Sequence, residues 1–147
     1  GLTLPDAPQP MASYVPTRLV PIGEGRSLLF VSGQVSGADG HLLVGRVPDR
    51  VSVAEARDAA RAAGLSLLAQ IDQAAGLDSV EAVAQLTGYV NSTDDFEDQP
   101  AVVNGASDLL REVLGEAGRH TRAAVAVNAL PKGVTVEISA IVVVRTP

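Results

Sequence analysis

The chain contains no cysteine and no tryptophan. Disulfides, thiolate metal sites and a Cys nucleophile are therefore excluded. Aromatic residues of any kind make up only 3%. The core must be filled by Val, Leu, Ile and many Ala, and Ala permits close approach of a helix to a sheet. Histidine is nearly missing too: His41 and His120 stand far apart, and neither belongs to a metal-spacing motif. Positive charge is scarce, with 11 Lys and Arg against 17 Asp and Glu and a formal net charge of −6. Non-specific nucleic-acid binding rests on clustered Lys and Arg, so this balance argues against a nucleic-acid partner while leaving room for a small basic pocket. No uninterrupted apolar run approaches the roughly 20 residues that span a bilayer, so no membrane partner is expected. Gly1 to Pro10 has neither a basic start nor an apolar signal core, which makes a cytoplasmic protein the expectation.

What is present suits one domain over residues 1–147, long enough to bury a single core. Residues 1–16 carry four prolines and read as an extended lead-in. Leu28 to Val35 is a short apolar run closing in Ser32-Gly33-Gln34, a buried strand ending at a tight backbone position. Residues 36–50 read as a loop, with a short strand at Leu42 to Val44. Ser52 followed by Glu55 fits a capping box. Beyond it Val53, Ala56, Ala60, Ala63, Leu67, Ile71 and Ala74 recur at helical spacing up to a stop at Gly76. Val80 to Asn91 reads as a strand weakened by Gly88. Pro100 sits in the first turn of a second helix whose stripe is Val102, Ala106, Leu109, Leu110, Val113 and Leu114, ending at Gly115.

Strands, helix, strand, helix and two strands predict an α+β domain, a mixed β-sheet with two helices packed on one face. In the last strand Val134, Val136, Ile138 and Ala140 share one side, and Thr135, Glu137, Ser139, Ile141 and Val143 share the other. Both sides are substantially apolar, although the helices cover one. The simplest account is burial of the second face against another copy of the chain.

The block Arg122 to Glu137 places a cation and a carboxylate inside two otherwise apolar segments joined by Leu130-Pro131-Lys132-Gly133. Neither charge is normally buried without something to meet it. With Pro131 and Lys132 as a two-residue hairpin turn, Ala126 pairs with Glu137 and Arg122 with Ile141. Arg122 and Glu137 then share the helix-free face about 13 Å apart, too far for a salt bridge within one hairpin but within reach across an interface. A guanidinium grips a carboxylate through two parallel hydrogen bonds, so Arg122 suits an anchor for a small carboxylic acid. Glu137 could position a water and shuttle its proton. A structural ion-pair network at a subunit contact accounts for the same two residues, and the pattern alone leaves both open. No other cation stands out beside Arg122. Ser32 as a nucleophile lacks an evident base, and a strand-end hydrogen bond explains it more simply. His120 reads as a solvated loop residue rather than an acid or base. The acidic run Asp94 to Asp98 reads as a solvated approach to a helix rather than a Mg²⁺ or Ca²⁺ site. Gly23-Glu24-Gly25 reads as a turn.

Taken in order and spacing, Tyr14, Val31-Ser32-Gly33-Gln34, Asp95-Phe96, Val103-Asn104 and Arg122…Leu130-Pro131-Lys132…Val136-Glu137 resemble the RidA family (reactive intermediate deaminase, YjgF-type). That family's fold is similar to the chorismate mutase fold of bacteria, and the resemblance covers nearly the whole chain. It implies a homotrimer with sites at the subunit interfaces, hydrolysing 2-imino or 2-enamino acids to 2-oxo acids and ammonia without metal or organic cofactor. It further implies that Arg122 clamps the substrate carboxylate, that Glu137 helps hold the attacking water, and that Tyr14, the Gly33 backbone and Asn104 line the pocket. Ser32 and Ala124 count as substrate-binding positions beside them. Where the family frequently has a cysteine two residues after the arginine, this chain has Ala124. Phe96 and Asn104 also stand further apart than in the best-known members. A non-catalytic trimeric module that binds a small carboxylate or metabolite is the alternative from a different class. Ribonuclease activity is the weakest reading, given the net charge and the few aromatics for base stacking.

Overall fold

A computed structural model of the protein describes residues 1–36 and 41–147. Residues 37–40 of the predicted 36–50 loop lie outside the described residues. The first sixteen residues contain no helix or strand. They lie along the domain, where Gln70 Nε2 donates to Pro8 O at 2.6 Å.

The first helix, α1 (Val53–Ala75), begins with the capping box predicted from Ser52 and Glu55. Glu55 N donates to Ser52 Oγ at 3.2 Å, and Ser52 N donates to Glu55 Oε2 at 2.9 Å. Such reciprocal bonds satisfy two end groups of the helix that would otherwise lack partners. The predicted stripe is the buried one: Ala56, Ala60, Ala63, Leu67 and Ile71 are wholly shielded from solvent. The second helix, α2 (Gln99–Leu114), has Pro100 in its first turn and Gly115 at its end. The two helices touch at glycines. A Cβ on Gly105 would stand 2.0 Å from Arg57 O, and one on Gly64 would stand 2.9 Å from Leu109 Cδ2.

Five strands make one sheet: β1 (Thr17–Gly23), β2 (Arg26–Val35), β3 (Val80–Asn91), β4 (Thr121–Val127) and β5 (Val136–Arg145). β1 was not expected from the sequence. It is an exposed edge strand that carries Pro21, and such a residue is tolerated in a sheet only at an edge. The turn predicted at Gly23-Glu24-Gly25 joins it to β2, with positive φ at all three residues. The predicted strand at Leu42 to Val44 is reduced to a single bridge from Val44 to Val134.

The sheet order is β1-β2-β5-β3-β4, with β3 and β4 parallel and the other neighbours antiparallel. The mixed sheet with two helices on one face is therefore as predicted, but the closing hairpin is not. β3, α2 and β4 form a parallel crossover unit, which sets β4 on the outer edge of β3. β5 enters on the other side of β3 and pairs with β2 as well. The segment Pro131–Gly133 is a single 3₁₀ turn on the route between them, with Lys132 at φ 57° and Gly133 at φ 68°.

Val136, Ile138, Ala140, Val142 and Val144 of β5 are buried under the helices, as their alternation predicted. The opposite sheet face has no helix over it. Val20, Phe30 and Val125 are exposed there, Phe30 by 40% and Val125 by 44%. No described helix is long and apolar enough to cross a membrane.

Candidate functional site

Strand register decides where Arg122 and Glu137 point. Arg122 is opposite Leu86 of β3, which is opposite Ala140 of β5. Leu86 and Ala140 face the helices. Arg122 therefore lies on the helix-bearing side, at the β4 edge. Glu137 is opposite Tyr89 and Val35 and alternates with buried Val136 and Ile138, so it lies on the helix-free side. The prediction that the two share a face is overturned, because it assumed that β4 pairs with β5. With β3 between them, the strands that carry them are separated by about 10 Å. Within one chain they cannot serve one small ligand.

Around Arg122 the chain builds a connected polar cluster. Arg122 Nη1 donates to Asn104 Oδ1 at 2.7 Å and to Ser107 Oγ at 3.1 Å. Asn104 and Ser107 sit three residues apart and so on one face of α2. The face reaches β4 because α2 is pressed onto the sheet: a Cβ on Gly88 would stand 2.5 Å from Val103 Cγ2. That close approach is the reason a glycine interrupts β3. His120 completes the cluster, with Nδ1 2.6 Å from Gly118 O and Nε2 2.9 Å from Ser107 Oγ. A carbonyl only accepts, so Nδ1 carries the proton. In the neutral ring Nε2 then accepts from the Ser107 hydroxyl, which in turn accepts from Arg122. This directed chain fixes Nη1 and leaves the Nε–Nη2 edge of Arg122 without an acceptor among the described residues. Two parallel N–H groups are what a carboxylate requires. With Oδ1 facing Arg122, the Asn104 Nδ2 is a further outward donor. The cluster opens into a cleft of about 300 Å³.

Around Glu137 the setting is the reverse. Its carboxylate is half-buried and takes no hydrogen bond from any described residue. Burial pushes its pKa above the usual carboxylate value. It packs on Gly33, where a Cβ would stand 2.8 Å from Glu137 Cδ and Oε2. A larger residue there would displace the Glu137 carboxyl, which gives a physical reason for the tight backbone position predicted at Ser32-Gly33-Gln34. Gly33, Tyr14 and Lys132 together line a second cavity of about 260 Å³ under the lead-in segment. The Tyr14 hydroxyl accepts from Met11 N at 3.4 Å. Ser32 Oγ donates to Val15 O at 2.8 Å, the strand-end role expected of it, and that proton is thereby engaged.

The structure thus gathers Arg122 and Asn104 at one place and Glu137, Gly33, Ser32 and Tyr14 at another, while Ala124 is not among the residues that line the Arg122 cleft. Ala124 is opposite Gly88 on the α2 side and partly buried against the core, adding no polar group. The acidic run has no ligand-like geometry: Asp94 faces Arg46 at 3.4 Å, Asp95 accepts from Thr93, and no group of three candidate metal ligands exists among the described residues. Near Arg122 three residues were missed and one was misread. His120 is half-buried and bonded rather than a solvated loop residue, and its position two before Arg122 on an extended chain already put both on one side. Ser107, Arg111 and Arg119 come to the cleft through the packing of α2 and the 115–118 turn. Arg122 is accordingly not the one notable cation of the site.

Residues 1–140 match the family described as “YjgF/chorismate mutase-like, putative endoribonuclease”. Among solved structures, a protein of unknown function from Agrobacterium tumefaciens is 41% identical, with a TM-score of 0.84 over 94% of this chain and 87% of that one. A Shewanella oneidensis structure under the same endoribonuclease designation is 31% identical, with a TM-score of 0.87 over 96% of this chain and 91% of its own. TdcF of Escherichia coli, solved with bound serine, is 30% identical, with a TM-score of 0.62 over 95% of this chain and 94% of its own.

Proposed function

This chain belongs to the YjgF/RidA family, and on that premise we propose that it hydrolyses reactive 2-imino or 2-enamino acids at sites between subunits of a homotrimer. The observation that carries the reading is the division of the site. One chain supplies an anchored guanidinium with an unclaimed donor edge. On its opposite face, which also exposes apolar residues, it holds a half-buried carboxylate without a partner among the described residues. Packing that face against the β4 edge of a neighbouring copy covers the apolar surface and brings the two halves to one ligand. Serine bound to TdcF is a small amino acid with the carboxylate such a site would grip.

The chemistry asks little of the protein. Arg122 holds the carboxylate, and Asn104 Nδ2 is a second donor nearby. Glu137 of the adjoining copy accepts a proton as the water oxygen bonds to the imine carbon, and returns it to nitrogen. The same carboxylate then takes the carbinolamine hydroxyl proton and passes it to the amino nitrogen, the C–N bond breaks as the C=O bond forms, and ammonia leaves the 2-oxo acid. Burial raises the pKa of Glu137 above the usual carboxylate value, which strengthens it as a proton acceptor.

The decisive assay generates 2-iminopropanoate in situ with an amino-acid oxidase and follows its decay. Wild type should accelerate the decay, and Arg122→Ala should lower the effect about 100-fold through loss of a charged bidentate contact. No acceleration, or equal acceleration by Arg122→Ala, sinks the proposal. The second reading, a binding module without turnover, is favoured only by Ala124, which stands where the family frequently has a cysteine. Arg122-dependent carboxylate binding with no imine consumed would select it. RNA cleavage that survives Arg122→Ala and Glu137→Gln would point instead to the endoribonuclease designation.

A further inference from the structure

The cleft around Arg122 carries more positive charge than a single carboxylate needs. Arg111 and Arg119 line it together with Arg122, so three of the chain's 11 cations meet at one place in a protein of net charge −6. The nearby acids are occupied. Asp108, which also lines the cleft, accepts from Arg57 at 2.7 Å, and Glu112 accepts from Arg61 at 2.9 Å, both across the helix–helix contact. Glu116 takes Arg119 at 3.2 Å. Arg111 and Arg122 are left without a carboxylate partner among the described residues. Two uncompensated guanidiniums facing one cleft repel each other until an anion joins them.

Their spacing is set by the helix. Asn104, Ser107 and Arg111 follow one another at three and four residues along α2 and so share one face. Arg122 bonds to the first two, and Arg111 starts four residues beyond Ser107, a rise of about 6 Å. A carboxylate on Arg122 and a second acid about 5 Å further along the α2 face would each meet a guanidinium. Among 2-imino acids, that separation belongs to a dicarboxylic skeleton of four or five carbons.

We infer that the Arg122 cleft selects dicarboxylic 2-imino acids, with Arg122 binding the carboxylate beside the imine and Arg111 binding the distal one. Arg119, half-engaged by Glu116, adds to the field rather than to the grip. The inference rests on the imine-hydrolase reading for its chemistry but not for its binding geometry. Wild type and Arg111→Gln are titrated calorimetrically with 2-oxoglutarate and with 2-oxobutanoate, stable products of the two substrate classes. Imines made by oxidase from glutamate and from 2-aminobutanoate are then compared as substrates. Wild type should bind 2-oxoglutarate about 10-fold more tightly than 2-oxobutanoate, the worth of one added charged contact. Arg111→Gln should collapse that ratio towards one, and Arg111→Lys should restore part of it. Equal affinities in wild type, or a ratio unmoved by Arg111→Gln, overturn the inference. Selective binding with no imine consumed upholds the dicarboxylate site while the hydrolase reading fails. Equal turnover of both imines, insensitive to Arg111, does the opposite.

Discussion

The α2–β4 edge and the helix-free face near β5 make opposite use of charge. At the edge, Asn104, Ser107 and His120 hold one side of the Arg122 guanidinium in place and leave the other side open. On the helix-free face, Glu137 sits half-buried against Gly33, opposite Val35 and Tyr89, with no bonded partner among the described residues. The first region is assembled within one chain before any ligand arrives. The second bears a desolvation cost that one chain does not offset. On the function proposed above, another copy of the same chain covers that surface.

Breaking the cover tests the contrast most severely. Phe30→Glu or Val125→Glu places a charge on the exposed apolar face. Each is expected to split the assembly in sedimentation velocity and to lower imine hydrolysis about 100-fold, since an unpaired interface charge costs several kcal/mol. Far-UV circular dichroism should stay unchanged. A monomer with full activity would show that the two halves never meet.

Gly33→Ala disturbs one half alone. Its Cβ would stand 2.8 Å from the Glu137 carboxyl, which must move. Overpacking of this kind costs about 1–3 kcal/mol, so kcat should fall about 10-fold while carboxylate binding at Arg122 is retained. Matching losses in kcat and in 2-oxo acid affinity would show that the change has spread beyond Glu137.

The smallest effect is on stability. Burial makes folded Glu137 hold its proton more tightly than the unfolded chain does. The folded state thus binds the extra proton between the ordinary and the raised value. Stability is greatest below that window and falls as pH rises through it. Glu137→Gln should raise the neutral-pH Tm by about 1–2 °C, a figure reduced for the solvent-screened half of the group, and should flatten the pH dependence. Superimposable melting profiles from pH 4 to 8 would remove the claim of an uncompensated carboxylate.

Helices and strand faces were legible because their signals are local. The Ser52–Glu55 box, the Ala-rich stripe and the Gly76 and Gly115 stops each act within a few residues, and β3 runs from Val80 to Asn91 as read. Alternation in β5 named its buried side correctly. Strand order was not legible, because a period of two says which face a residue takes and nothing about which neighbour it pairs with. The assumed turn at Pro131-Lys132 therefore produced a hairpin that the pairing of β5 with β2 and β3 rules out. Arg111 and Arg119 escaped notice for a similar reason: on a helix end and a loop they look like ordinary solvated charges.

By itself the sequence determined an α+β domain, its two amphipathic helices, the sides of its central strand and the residue types able to grip a carboxylate and move a proton. The tertiary structure alone decided that Arg122 turns to α2 and Glu137 away from it. That outcome depends on β5 entering between β2 and β3, a long-range pairing in which β2 offers a partner on its other side and the helices cover one face. Local propensity has no term for such a choice, since both arrangements bury the same alternating residues and differ only in which strands exchange hydrogen bonds.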